Sequence, residues 1–216
     1  MRILLFANGD FPHPDHARAL IRPDDFILCA DGGTRHALAL GLTPDLVIGD
    51  LDSVDADTVS SLRDAGVEIR QFARDKDYTD LELALLAARD LRPDAVILLG
   101  ALGGRLDQTL ANIFLLARPQ FAALAITLVS GPERAWVVRD ETIVRGQPGD
   151  ILSIIPLTPD VTGLSYHSGL RWRLQDATLP FGSSRGVSNE LTAREARITL
   201  RSGVILVIHT TSPRFP

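Results

Sequence analysis

The chain is short of cysteine, lysine and positive charge, and each shortage removes a class of answer. Cys29 is the single cysteine, so neither a disulfide framework nor a thiolate metal site is available within one chain. It lies in the apolar run Phe26-Ile27-Leu28-Cys29-Ala30 and reads as inert core. A net charge of -5 and a pI near 5.5, with no arginine stripe, argue against a nucleic-acid partner while leaving nucleotides open. No apolar run reaches membrane-spanning length, and Met1-Arg2-Ile3-Leu4-Leu5-Phe6-Ala7-Asn8 is interrupted too soon for a signal peptide. A cytoplasmic protein without a membrane partner is therefore expected.

Familiar signatures are also missing. There is no Gly-x-x-x-x-Gly-Lys-Ser/Thr loop, and no Gly-x-Gly-x-x-Gly opens a helix after the first strand, which excludes a P-loop enzyme and an ordinary dinucleotide dehydrogenase. The five histidines (His13, His16, His36, His167 and His209) show no metal-ligand spacing. His13 and His16 read as solvated residues of a loop containing Pro12 and Pro14. Ser53 and Ser168 have no legible His and Asp partners, so nucleophilic hydrolysis is poorly supported.

Of the 22 basic residues, 21 are arginine and one is Lys76. A chain that has replaced lysine almost everywhere keeps it where a compact ammonium on a flexible stem is needed, or as a survivor on the surface.

The 216 residues, 45% of them hydrophobic and 23% charged, suffice for one large domain or two small ones. Apolar runs near 2-8, 26-31, 46-50, 67-72, 95-101 and 124-130 alternate with helical patterns near 15-21, 33-41, 55-65, 79-91 and 105-118. This alternation predicts an α/β domain, an open parallel sheet with helices on both faces, over 1-131. After Ser130-Gly131-Pro132 the runs become short and β-rich (135-138, 142-144, 151-155, 197-200 and 204-209). They predict an antiparallel sandwich or barrel over 132-216.

The strongest feature is Leu46-Val47-Ile48-Gly49-Asp50-Leu51-Asp52-Ser53, an apolar strand running into two aspartates. Side by side, two such carboxylates repel by roughly 4 kcal/mol at 4 Å in an effective dielectric of 20. A divalent cation relieves that repulsion; an Asx-type turn closing the strand is the alternative. The second strand ends in Ala30-Asp31-Gly32-Gly33 and the fifth in Gly100-Ala101-Leu102-Gly103-Gly104-Arg105-Leu106-Asp107. In a parallel sheet all these endings share one ligand-binding edge. The two glycine pairs either offer free N–H groups to an anion or serve tight turns.

Asp75-Lys76-Asp77-Tyr78-Thr79-Asp80 leads into the helix near 80. Thr79 and Glu82 form a capping box, with Asp80 favoured at the first helical position. Capping leaves unexplained why Asp75, Asp77 and Asp80 surround the only lysine. Phosphate held by that lysine, with magnesium on the neighbouring carboxylates, accounts for them. The chemistry indicated is phosphoryl or diphosphoryl transfer.

Taken together, Ala30-Asp31-Gly32-Gly33, Pro44 to Ser53, Lys76 to Asp80, Gly103 to Asp107, Ser168-Gly169-Leu170-Arg171-Trp172-Arg173-Leu174 and Gly186-Val187-Ser188-Asn189 resemble thiamine pyrophosphokinase over essentially the whole chain. The resemblance implies transfer of diphosphate from ATP to the hydroxyl of thiamine, giving thiamine diphosphate and AMP. It implies magnesium on Asp50, Asp52 and Asp80, with Asp31 near the same ions. Those three aspartates and Lys76 would form the catalytic centre, and Gly32, Gly33, Thr79, Arg105 and Asp107 would face the nucleotide. It further implies a homodimer whose thiamine pocket draws on the β-rich domain, with Ser188 and Asn189 as polar contacts. Trp172 is the expected aromatic wall, or else a core residue. Gln108 departs from the histidine usual in the family.

Three other functions fit parts of the sequence. The Asp-x-Asp-x-Val run at 50-54 also suits a haloacid-dehalogenase-type phosphohydrolase, although that motif belongs on a first strand and a later acidic pair is missing. A diphosphotransferase acting on another alcohol, such as a hydroxymethylpterin, is a second. A non-catalytic nucleotide or thiamine sensor is a third.

Overall fold

Four consecutive residues of the first strand, Ile3, Leu4, Leu5 and Phe6, are wholly buried, which requires cover on both faces of the sheet. The computed structural model describes residues 1–212 and divides into two units, Met1–Gly131 and Pro132–Pro216. In the first, β1 (Arg2–Phe6), β2 (Phe26–Ala30), β3 (Leu46–Gly49), β4 (Glu68–Gln71), β5 (Ala95–Leu99) and β6 (Ile126–Ser130) run parallel in the order β6-β5-β1-β2-β3-β4.

Alternate strand residues divide between the two faces. Leu4, Phe6, Ile27, Cys29 and Val47 join a core cluster with Ala17, Ala37, Leu40, Val59 and Leu62. These last come from α1 (Pro14–Arg18), α2 (Gly33–Ala39), its C-cap residue and α3 (Ala56–Asp64). Ile3, Leu5, Leu28, Leu46, Ile48 and Leu98 are equally buried. Buried Leu81, Ala84, Leu85 and Ala88 belong to α4 (Asp80–Leu91), which packs on β2 and β3. The last α-helix of this unit is α5 (Leu106–Leu115).

Strand order reverses between β1 and β5. The crevice of an open parallel sheet lies at such a reversal, outside the carboxyl ends of the strands. β1 and β5 stop at Phe6 and Leu99, two residues short of the predicted ends at 8 and 101. The residues released, Ala7-Asn8 and Gly100-Ala101, become loops of the binding edge.

The second unit holds two antiparallel arrangements. β7 (Glu133–Val138), β9 (Ile151–Pro156), β12 (Asn189–Glu190) and β14 (Ile205–Thr210) are ordered β12-β9-β14-β7. β8 (Glu141–Arg145), β10 (Asp160–Ser168), β11 (Ala177–Pro180) and β13 (Glu195–Thr199) are ordered β11-β10-β13-β8. Leu152, Ile154 and Val207 from the first set share one core cluster with Val144, Leu164, Tyr166 and Ile198 from the second. β10, β11 and β12 were absent from the sequence expectation. β10 is interrupted by register shifts at Val161/Leu164 and Tyr166/Ser168, which break the alternation that marks a strand.

Candidate active site

The carboxyl ends of β1, β2, β3 and β5, with the start of α4 and one side of α5, enclose a cavity of about 270 Å³. Asn8, Asp31, Asp50, Lys76, Thr79, Asp80, Gly103, Gln108 and Asn112 are among its lining residues. Most of the motifs singled out in the first unit thus meet in one place.

Asp31 follows β2 with φ +46° and is only 5% exposed. That left-handed conformation is costly for a non-glycine residue. It is held by the Asp31 N–H donating to the Ile48 carbonyl at 2.8 Å and by the Asp31 carbonyl accepting from Thr34 N and Oγ1 at 3.1 and 2.8 Å. Leu51 also has a positive φ, +64°. Its side chain turns into the core while Asp50 and Asp52 stay at the edge. Asp31, Asp50 and Asp52 each offer an oxygen within 4.8 Å of the others.

The residues fit a hard cation. Three carboxylates supply oxygen ligands of the kind magnesium takes, and Asp31 Oδ1 is buried with no hydrogen-bond partner. A buried carboxylate oxygen left unpaired is expensive, and an ion is the group that would satisfy it. The Asx turn proposed as the alternative is also present, since Asp52 N donates to Asp50 Oδ1 at 3.2 Å.

Asp31 stands with Asp50 and Asp52, whereas Asp80, also expected at the metal, is turned towards Lys76. Asp80 Oδ1 lies 2.8 Å from Lys76 Nζ as an ion pair without good hydrogen-bond alignment, and Asp50 Oδ2 is 3.7 Å from the same nitrogen. Burial pushes the Asp80 pKa up, and repulsion from Asp50 and Asp31 adds to it against the pull of Lys76. For Lys76 burial works against the charge, yet Asp80, Asp50 and Asp31 outweigh it and raise its pKa. Both partners shift upward because the lysine has several carboxylates near it while Asp80 has one cation and two like charges.

The amides of the second glycine pair serve the turn itself. Gly103 N donates to Thr109 Oγ1 at 3.1 Å and Gly104 N to Asp10 Oδ2 at 3.0 Å. Those amides are therefore occupied, and α5 starts only at Leu106. A Cβ on Gly33 would sit 2.1 Å from the Phe6 carbonyl oxygen, so close packing demands that glycine. Arg105 and Asp107 are exposed and pair bidentately at 3.1 and 2.5 Å.

Half of the predicted capping box forms. Thr79 Oγ1 accepts from Glu82 N at 3.2 Å, whereas the Glu82 carboxylate turns away to Arg118 and Gln120. His16 lies in α1 rather than in a loop, and it and His13 are exposed.

In the second unit Trp172 is 55% exposed, which rules out the core alternative. The Arg171 guanidinium stands 5.0 Å from its ring centroid. Asn189 is buried, its amide accepting from Trp172 N at 3.1 Å and donating to Trp172 O at 2.7 Å. Its side chain is committed to holding the tryptophan segment. Ser188 is exposed, with φ +61°, and its N–H donates to Ser153 Oγ at 3.0 Å.

Sequence reasoning missed the exit of β1. Asn8 and Asp10 stand at the centre of the edge, and Asn8-Gly9-Asp10 has the same polar and glycine composition as the endings that were recognised.

Carboxylates gathered at the crevice of a parallel sheet, with one lysine among them, are the equipment of a kinase-type transferase. Residues 17–128 match the family Thiamin pyrophosphokinase, catalytic domain, and residues 140–205 match Thiamin pyrophosphokinase, vitamin B1 binding domain. The chain belongs to the thiamin pyrophosphokinase family and is a transferase of thiamine diphosphate biosynthesis. It is 28% identical over 183 residues to the thiamine pyrophosphokinase of Bacillus subtilis, covering 84% of this chain and 85% of that one. Thiamine pyrophosphokinase 1 of Oryza sativa is 27% identical over 84% of this chain and 77% of its own length. The crystal structure of the B. subtilis protein superposes with a TM-score of 0.86 at 25% identity, covering 99% of this chain and 100% of that one. That of the Geobacillus thermodenitrificans protein gives 0.85 at 26%, with 99% of both chains covered. The phosphohydrolase and pterin alternatives fall with these matches.

Proposed function

We propose that the chain catalyses magnesium-dependent diphosphoryl transfer from ATP to the hydroxyethyl oxygen of thiamine, with the cavity of the first unit as the triphosphate site. The observation that carries the reading is the buried, unpartnered Asp31 Oδ1 beside Asp50 and Asp52. Asp31, Asp50 and Asp52 hold the magnesium, which when bound neutralises charge on the triphosphate. Lys76 exchanges part of its pairing with Asp50 and Asp80 for a phosphate oxygen. Asp80 keeps the ammonium oriented, and Thr79 fixes the start of α4 beneath it. Arg105 has five donors, of which Asp107 uses two, and offers others to phosphate.

The thiamine oxygen attacks the β-phosphorus in line. The new O–P bond forms as the bond from that phosphorus to the oxygen bridging the α-phosphate breaks, the hydroxyl proton passes to a carboxylate of the site, and AMP leaves with the bridging oxygen. In a loose transition state positioning outweighs base strength. Exposed Trp172, positioned by Asn189, suits the flat, cationic thiamine rings as an aromatic wall, and Ser188 is a polar contact beside it. The working unit is a homodimer with the site shared between subunits, in the cytoplasm where ATP is supplied.

Metal removal tests the reading. Chelation with EDTA should abolish turnover with thiamine and ATP, and added magnesium should restore it. Full activity in excess chelator would overturn the magnesium assignment.

A further inference from the structure

Asn8 has no assigned role, yet its amide stands against the acidic site. Its Oδ1 accepts from Arg35 Nη2 at 2.7 Å, and its Nδ2 faces Ser53 Oγ at 3.2 Å and Asp31 Oδ2 at 3.5 Å. Ser53 Oγ in turn donates to Asp52 Oδ1 at 3.1 Å. A guanidinium has donors only, so Arg35 fixes which end of the amide is oxygen and leaves the NH2 end aimed at the carboxylates. One side chain thereby reaches Asp31 directly and Asp52 through Ser53.

Gly32 gives a second, independent observation. Its φ of -62° and ψ of -7° suit any residue, so backbone conformation does not require glycine. Space does: a Cβ there would lie 2.3 Å from Asn8 Oδ1, 2.5 Å from Cγ and 2.6 Å from Nδ2. The amide lies flat against Gly32, in a slot that only glycine provides.

We infer that Asn8 is a positioning residue for the cation site. Its amide, locked by Arg35 and seated on Gly32, holds the Asp31 and Asp52 carboxylates in register while leaving Asp31 Oδ1 open. Hydrogen bonds behind the ligands of a metal typically set affinity by 10- to 100-fold. This inference rests on the magnesium reading.

The test is a titration of the purified full-length protein with Mn²⁺ alone, free ion followed by electron paramagnetic resonance, beside a thermal melt. Asn8→Ala should raise the Mn²⁺ dissociation constant about tenfold, with the melting temperature little changed. Gly32→Ala should reproduce that loss by displacing the amide. In the Asn8→Ala background the added methyl has room, so the double variant should bind Mn²⁺ no more weakly than Asn8→Ala alone. Wild-type protein that binds no Mn²⁺ would overturn the magnesium reading itself. Wild-type binding with Asn8→Ala within twofold of it would overturn the role of Asn8 alone, as would fully additive losses in the double variant. Should Asn8→Ala not fold, Gly32→Ala carries the same expectation, and a melting loss without a change in Mn²⁺ affinity would overturn it.

Discussion

Asp31 and Trp172 are the two residues whose surroundings say most about their work. Asp31 is held in a left-handed conformation by backbone bonds and buried with one oxygen unpaired, an arrangement that costs energy unless an ion completes it. Trp172 has the opposite problem, a large apolar ring left half in solvent while its backbone is pinned from below by Asn189. Ring and anchor are therefore separable by mutation. Trp172→Ala should leave the melting temperature unchanged and raise the thiamine KM about tenfold, the equivalent of ~1.4 kcal/mol. Asn189→Ala leaves a backbone N–H and C=O without partners and should cost about 1–3 kcal/mol of stability as well as raising KM. Equal destabilisation in both variants, measured by thermal melts beside steady-state kinetics, would contradict the division.

Single elements carry the next level. Asp150 immediately precedes β9 and His209 lies in β14, and the pair is buried at 2.9 Å. Asp150 also accepts from Gln147 N at 2.9 Å and Ser212 N at 3.0 Å, so it pins both the turn into β9 and the residues after β14. Burial opposes its charge, but those backbone donors and His209 outweigh burial and hold its pKa below the usual 3.8. A carboxyl with a lowered folded-state pKa contributes stability that is present above the unfolded value and lost as pH falls through the folded one. Melts of the wild type should therefore drop steeply below about pH 4. Asp150→Asn should be less stable at pH 7 and lose less on acidification. Parallel pH profiles for the two proteins would refute the latch.

The parallel strands other than β4, an exposed edge strand of sequence Glu-Ile-Arg-Gln, were legible because each is a continuous apolar run between turn residues, as burial on both faces requires. β10 was not, since its bulges displace the period-two pattern, and β12 is only two residues long. At the site Asp31, Asp50 and Asp52 were legible from strand endings. Asn8 was hidden because the first apolar run was extended to residue 8, and a residue read as strand is not read as edge. The Glu82 to Arg118 pairing spans 36 positions and has no local signature.

At the scale of the whole molecule the shared site of the proposed homodimer makes a quantitative prediction. Asp52→Asn should lose about 100-fold or more in turnover, since several kcal/mol of charge stabilisation depend on the ion. Mixed and exchanged with Trp172→Ala at low thiamine, it should regain about a quarter of wild-type activity, because half the dimers are hybrids and one of their two sites is intact. No recovery would place each site within one subunit.

The central claim is the transfer of a diphosphate rather than a phosphate. Phosphorus NMR of the purified protein with thiamine, ATP and magnesium measures it most directly. The account predicts thiamine diphosphate and AMP appearing in equal amounts; ADP with thiamine monophosphate, or phosphate released without thiamine, would contradict it.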